Sequence, residues 1–288
     1  MLKLYSIART TFAQITRQPV YAVIILSAFT ALVLAVPLTG WTMGTDYHTT
    51  DQRMLEQQGL YTLLIAGLIV AVFSASNAIN RELEDKTALT VISKPVSRAT
   101  FLLGKFAGVL VACAVAFYLC ALVFLMTVRH KVMPSAADPY DFPVIILGCS
   151  ALVIAILVAM AGNYFFRWSV ISSGVWASMV TLSVAMGLIA FIGKGWRIVP
   201  IGQDINPNLL VGIALMLMEL MIFIALAVAI STRFGQVVTL LSCVAVFAVG
   251  SIYHFLFVSS AEQIVIARII GTIMPNLSLF DPLDALSA

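Results

Sequence analysis

Charged residues are scarce in this chain. Asp, Glu, Lys and Arg make up only 10% of its 288 residues, whereas 61% are hydrophobic and the mean hydropathy is +1.06. A soluble domain needs more polar surface than this, because its apolar residues would exceed what one core can bury. The net charge of +3 is too small to indicate a nucleic acid partner. The composition therefore excludes an ordinary soluble domain and predicts a protein whose partner is the lipid bilayer.

The sequence also lacks the motifs of common catalytic and metal sites. Its cysteines form no CxxC pair, no His/Cys cluster has metal-ligand spacing, and neither a GxSxG nor an HExxH motif is present. Lys105 and Lys194 each follow a glycine, but neither lies in an ATP-binding loop of the GxxxxGK[ST] type. We therefore expect no enzyme activity, no metal and no cofactor on this chain. The cysteines lie in long apolar runs and are predicted to be small buried hydrophobes: Cys113, Cys120, Cys149 and Cys243.

Long apolar runs recur from one end of the chain to the other. A helix needs about 20 apolar residues to cross a bilayer, and in lipid its backbone groups must be satisfied internally. The runs do not alternate polar and apolar residues, as the strands of a β-barrel would. The predicted fold class is all-α, a polytopic transmembrane helical bundle at residues 20–258. Its seven predicted spans are 20–41, 60–79, 101–127, 143–165, 168–193, 209–231 and 235–258.

The segments outside the spans carry further information. Residues 1–19 alternate apolar and basic positions at helical spacing, which predicts an amphipathic helix in the membrane interface. Lys and Arg are more numerous on the side of the N-terminus, which places that terminus in the cytoplasm, although Arg129 and Lys131 fall on the opposite side. The tail at 259–288 is then extracytoplasmic. It ends without a basic stop-transfer cluster, so we expect it to precede a missing last span.

The connection between the second and third predicted spans, residues 80–98, has an unusual pattern. A charged stretch is followed by apolar residues at helical spacing, a proline that ends any helix, and Ser97 as the N-cap of the next span. A short charged helix of this kind can dock on a partner protein through an apolar centre and a charged rim. It can equally be a solvated loop that fixes topology. The candidate docking residues are Arg81, Glu82, Leu83, Glu84, Asp85, Lys86, Leu89, Lys94, Pro95 and Arg98.

Polar residues inside the predicted spans form a second candidate site. Glu219 is the only acidic residue in a span, and a carboxylate at that depth costs about 3 kcal/mol or more unless it is paired or protonated. It predicts either a substrate or cation site or an interhelical hydrogen bond. Asn77, Asn163 and His254 are the other intramembrane polar groups considered.

Two pairs of glycines are spaced four residues apart. Gly104 and Gly108 lie near the start of the third predicted span, and Gly40 and Gly44 at the end of the first. Such pairs let two helices approach closely, so they are weak indications of a dimer face.

The cytoplasmic connection resembles that of ABC-2 type ABC transporter permeases. In that family an acidic helix precedes a Ser-Lys/Arg-Pro-Val-Ser-Arg turn and a Phe-Leu-Leu-Gly-Lys helix start. Lys86 stands where the family usually has glycine, and the pair of spans at 143–193 is in excess of the family's usual six. Shorter resemblances lie at 7–12, 229–234 and 274–280. The matching residues of the connection are Glu82-Leu83-Glu84-Asp85-Lys86-Thr87, Ser93-Lys94-Pro95-Val96-Ser97-Arg98 and Phe101-Leu102-Leu103-Gly104-Lys105.

The resemblance implies a function for the chain. A permease of this family dimerises with an identical or different second permease copy and pairs with two ABC ATPase subunits, which hold the ATP and the Mg. The segment at 80–98 would be a coupling helix that transmits ATPase closure to the spans of an exporter in the cytoplasmic (inner) membrane. The alternative is an ion-coupled secondary transporter with Glu219 as its coupling carboxylate.

Overall fold

The structure is a computed structural model that describes residues 2–40, 50–84, 97–132, 140–200, 207–251 and 277–280. Within these ranges nearly all residues are helical. The exceptions include two antiparallel strands of two residues each, β1 (Ile192–Gly193) and β2 (Arg197–Ile198), and a 3-10 helix at Leu277–Phe280. The α-helices are α1 (Leu2–Ile15), α2 (Pro19–Thr39), α3 (Thr50–Glu84), α4 (Arg98–His130), α5 (Phe142–Phe166), α6 (Val170–Phe191), α7 (Pro207–Ser231) and α8 (Gln236–Ser251).

The predicted all-α helical bundle is confirmed. Six helices, α2 to α7, are long and apolar enough to cross a membrane, judged by their length and composition. They correspond to the first six predicted spans. The seventh predicted span, 235–258, corresponds to α8, which has 16 residues; the rest of that span lies outside the described residues.

Two helices form the centre of the bundle. α3 and α4 have 35 and 33 residues. In the most apolar 18-residue stretch of each, 72% is buried, against 22% for α5 and 28% for α6. α3 packs against α1, α2, α4, α7 and α8, and α4 packs against every helix from α1 to α7. At 1.5 Å per residue each central helix is about 50 Å long, whereas the hydrocarbon layer is about 30 Å thick. Both must therefore project beyond it.

The N-terminal helix α1 is seated on two glycines of α4. A Cβ atom at Gly104 would lie 2.8 Å from Cγ2 of Ile7, and one at Gly108 would lie 2.6 Å from Cβ of Thr11 and 2.7 Å from the carbonyl oxygen of Ala8. The close approach predicted for this glycine pair is therefore used within the chain, and the weak indication of a dimer face at these glycines is not needed to explain them. The basic residues of α1, Lys3 and Arg9, have exposed side chains. Its position in the membrane interface remains a prediction.

Helix starts are explained by local chemistry. The predicted N-cap Ser97 is confirmed: its Oγ accepts a hydrogen bond from the backbone N–H of Thr100 at 3.1 Å. α3 begins ten residues before the predicted span at 60, so Asp51 and Glu56 lie on a helix and are buried, with exposed fractions of 2% and 7%. Hydropathy missed these ten residues because most of them are polar. Packing on α4 compensates, as where Gln52 donates to the carbonyl oxygen of Val128 at 3.2 Å.

The cysteines depart from the prediction at one position. Cys113, Cys120 and Cys243 are buried and free, whereas Cys149 is free but exposed. α5 lies at the periphery of the described bundle, since only 22% of its most apolar stretch is buried. The sequence pattern could not reveal this, because a lipid-facing residue and a core residue are equally apolar.

Candidate functional site at one end of the bundle

Four structural elements meet at one end of the bundle. The amide of Asn77, near the end of α3, donates to Oε1 of Gln18 in the α1–α2 turn at 3.1 Å. The first turns of α4 carry the glycines on which α1 lies, and Arg17 lines a cleft together with the α5–α6 turn. We call this the α1 end. The last turns of α3, the first turns of α4, the α1–α2 turn and the α5–α6 turn therefore form one surface.

The candidate coupling segment joins α3 to α4 at the α1 end. α3 remains helical through Glu84, so Arg81, Glu82, Leu83 and Glu84 belong to its last turns, and α4 begins at Arg98. The other candidate residues of this segment lie outside the described residues: Asp85, Lys86, Leu89, Lys94 and Pro95. The segment thus connects the two most buried of the candidate spans.

The candidate intramembrane polar residues lie in different places. Asn77 is held by Gln18 at the α1 end. Asn163 is exposed at the last turn of α5, where its amide donates to the carbonyl oxygen of Trp168 at 2.7 Å and closes the α5–α6 turn. Glu219 lies at the midpoint of α7 with an exposed fraction of 3%. His254 lies outside the described residues.

An ion pair that the sequence did not reveal lies at the opposite end of the bundle. Nε of Arg129, at the end of α4, is 3.8 Å from Oδ2 of Asp141, and both side chains are buried. The guanidinium also donates to the carbonyl oxygens of Ile189 and Ile192 at 3.2 Å each. Arg129 thus ties α4 to the start of α5 and the end of α6. Only three-dimensional proximity identifies this role, since the pattern showed no more than a basic residue next to a span.

A cavity of about 680 Å³ lies between α2, α4 and α5 near this opposite end. Its walls are mostly aliphatic, and Thr127, His130 and Tyr140 supply polar groups. Mostly apolar cavities with a few polar groups are the usual form of small-molecule sites. The arrangement suits a largely apolar molecule with one polar end.

Comparison with known families gives the identity of the fold. The family model described as "ABC-2 family transporter protein" matches residues 5–192. The chain belongs to the ABC-2 transporter family. It is thus a membrane permease of that family. The matched range contains α1 to α6, including the candidate coupling segment and the α5–α6 hairpin that exceeded the expected span count. No curated protein and no solved structure shows a significant match.

Proposed function

We propose that this ABC-2 family chain is the membrane-spanning subunit of an ATP-driven exporter whose ATP and Mg are bound by separate ATPase subunits. Two permease copies and two ATPases form the working unit, and the ATPases dock at the α1 end through residues 80–98. One observation carries the proposal: this connection joins α3 and α4, the central helices against which the other helices pack. A force applied there reaches the whole bundle.

The seat of α1 adds a second path for this force. α1 contacts α4 at Gly104 and Gly108, and the ring of Phe12 on α1 meets the ring of Trp176 on α6 with centroids 6.1 Å apart. Close-packed helices move as units, because compressing their contacts costs more than shifting a helix. A push on the α1 end therefore displaces α4 and the α5–α6 hairpin together.

In the proposed orientation the chain spans the cytoplasmic (inner) membrane, and the α1 end lies on its cytoplasmic side. The basic residues Lys3, Arg9 and Arg17 are exposed there, as expected for a cytoplasmic face. Arg129, which seemed to contradict this orientation, is buried beside Asp141, so its charge is locally compensated. The main objection from the charge distribution is thereby reduced.

The coupling role is tested by the variants Glu82→Lys and Leu89→Asp. The wild-type chain is purified with its native membrane neighbours, and the co-purifying ATPase chain and its ATP hydrolysis are measured. Both variants are expected to lose the ATPase and its activity while eluting as a folded species. Arg197→Glu, an exposed charge reversal at the opposite end, is the matched control and is expected to keep both. Retained ATPase in both coupling variants would contradict the proposal.

The burial of Glu219 at the middle of α7 favours one other function, ion-coupled secondary transport. Under the proposed function Glu219→Gln leaves the ATPase association unchanged, because the carboxyl group serves packing. Under the alternative, Glu219→Gln and an ionophore both stop transport, whereas ATP depletion has no direct effect.

A further inference from the structure

A basic cleft lies at the α1 end. It has a volume of about 930 Å³ and opens between the α1–α2 turn, the end of α5 and the first half of α6. Arg17 comes from the α1–α2 turn and Arg167 from the α5–α6 turn, and both side chains are exposed. The two cations thus line one cleft, each from a different turn.

The surroundings of the two arginines contain no counter-ion from their own segments. Residues 1–45 and 143–203 include no Asp and no Glu, and none lines the cleft among the described residues. Ser169, Ser172 and Ser173 add hydroxyl groups beside the arginines. α6 also starts at this point, with Ser169 as its N-cap. The side chain of Ser169 makes no capping hydrogen bond, so the first backbone N–H groups of α6 are not capped by it. The chemistry of the cleft therefore suits a phosphate group.

The α5–α6 turn is held in shape by contacts among its own residues. Arg167 has φ 56° and ends α5, with its N–H donating to the carbonyl oxygen of Asn163 at 3.0 Å. The rings of Phe166 and Trp168 stack with centroids 5.1 Å apart, and Trp168 covers Gly162, where a Cβ would lie 2.8 Å from its ring. The cleft is thus formed by a folded turn and not by an extended loop.

Aromatic side chains surround the cleft. Trp168 and Trp176 line it, and Tyr164 and Phe165 are exposed beside it. Tyr and Trp concentrate at the membrane–water interface, where the phosphates of the lipids also lie. Below the arginines, the wall continues with Val158 and Val180, whose exposed side chains can contact acyl chains.

We propose that this cleft binds the phosphate group of an anionic phospholipid in the leaflet at the α1 end, with Arg17 and Arg167 on the phosphate and an acyl chain along Val158 and Val180. The lipid bridges α1 to the α5–α6 hairpin, which pack against each other through Phe12 and Trp176. This site does not depend on the ATPase partner, so it stands or falls separately from the proposed transport function.

Tryptophan fluorescence tests the site directly. Of the four tryptophans, replacing Trp41 and Trp196 by Phe leaves Trp168 and Trp176, both in the cleft. The full chain is reconstituted in phosphatidylcholine vesicles that contain a minority of brominated phosphatidylglycerol, or the same fraction of brominated phosphatidylcholine. Stronger quenching by the anionic lipid is expected.

Charge variants identify the contributing residues. Arg17→Gln and Arg167→Gln are each expected to lower the selectivity for phosphatidylglycerol about fivefold, the usual effect of one basic residue at a charged bilayer surface. Arg197→Gln, exposed at the opposite end, should leave selectivity unchanged. Equal quenching by both brominated lipids in the parent protein, or unchanged selectivity in both arginine variants, would overturn the proposal. Loss of the selective quenching on adding inorganic phosphate would show a soluble-anion site and would also overturn it.

Discussion

The seat of α1 on Gly108 gives a quantitative prediction. In Gly108→Ala the new Cβ would lie 2.7 Å from the carbonyl oxygen of Ala8 and 2.6 Å from Cβ of Thr11, whereas ordinary contact begins at 3.4 Å. The nearest obstacles include α1 backbone, which cannot rotate away as a side-chain end can. α1 must therefore move away from α4 by about 0.7 Å at this contact.

The energy of this displacement can be isolated with a matched control. Overpacking one methyl group costs about 1–3 kcal/mol. Ala also favours a helix over Gly by about 1 kcal/mol, which would hide part of the loss. Gly187→Ala on α6 has the same helix propensity gain and meets no atom within 4 Å. The difference in stability between the two variants therefore reports the clash alone, and Gly108→Ala should be the less stable by about 1–3 kcal/mol.

Limited proteolysis measures the detachment of α1. Trypsin cleaves after Arg9, whose side chain is exposed but whose backbone is protected from cleavage while α1 remains a helix packed on α4. If cleavage follows local opening, a loss of about 1–3 kcal/mol raises the cleavage rate roughly 5- to 150-fold. Thermal unfolding in detergent gives an independent ranking of the two variants. Equal cleavage rates and equal unfolding midpoints for Gly108→Ala and Gly187→Ala would refute the argument that the glycine is required for helix approach.

Two further predictions concern the opposite end of the bundle. Arg129→Met and Asp141→Leu should each destabilise the protein by about 3–5 kcal/mol, because each leaves one buried charge without its partner. The double variant should lose less stability than the sum of the two single losses. Additive losses in a double-mutant cycle of unfolding midpoints would refute the coupling, and Arg197→Met is the exposed control. For topology, a membrane-impermeant maleimide added outside intact cells should label Lys194→Cys but not Gln14→Cys, both exposed positions, in a background where the native cysteines are replaced by Ala; the reverse pattern would place the α1 end outside.

Much of the architecture follows from the sequence alone. Six helices lie where apolar runs of about 20 residues predicted them, because a bilayer imposes both a length and an internally bonded backbone. The N-cap at Ser97 followed from local chemistry that needs no tertiary contact. The family could be expected from the short pattern around residues 82–105, and it was confirmed by the match over 5–192.

Other features depend on which helices become neighbours. The sequence marked Gly104 and Gly108 as a place of close approach, but only the fold shows that α1 of the same chain occupies it. Arg129 and Asp141 are separated by a connection of unpredicted path, and their pairing required α4, α5 and α6 to converge. Hydropathy shows which residues lie inside the bilayer. It does not show which of them face lipid and which face another helix, because the two surroundings are equally apolar. Which side of a helix faces a neighbour, as for Cys149 or the cleft at Arg17 and Arg167, was therefore decided by tertiary packing.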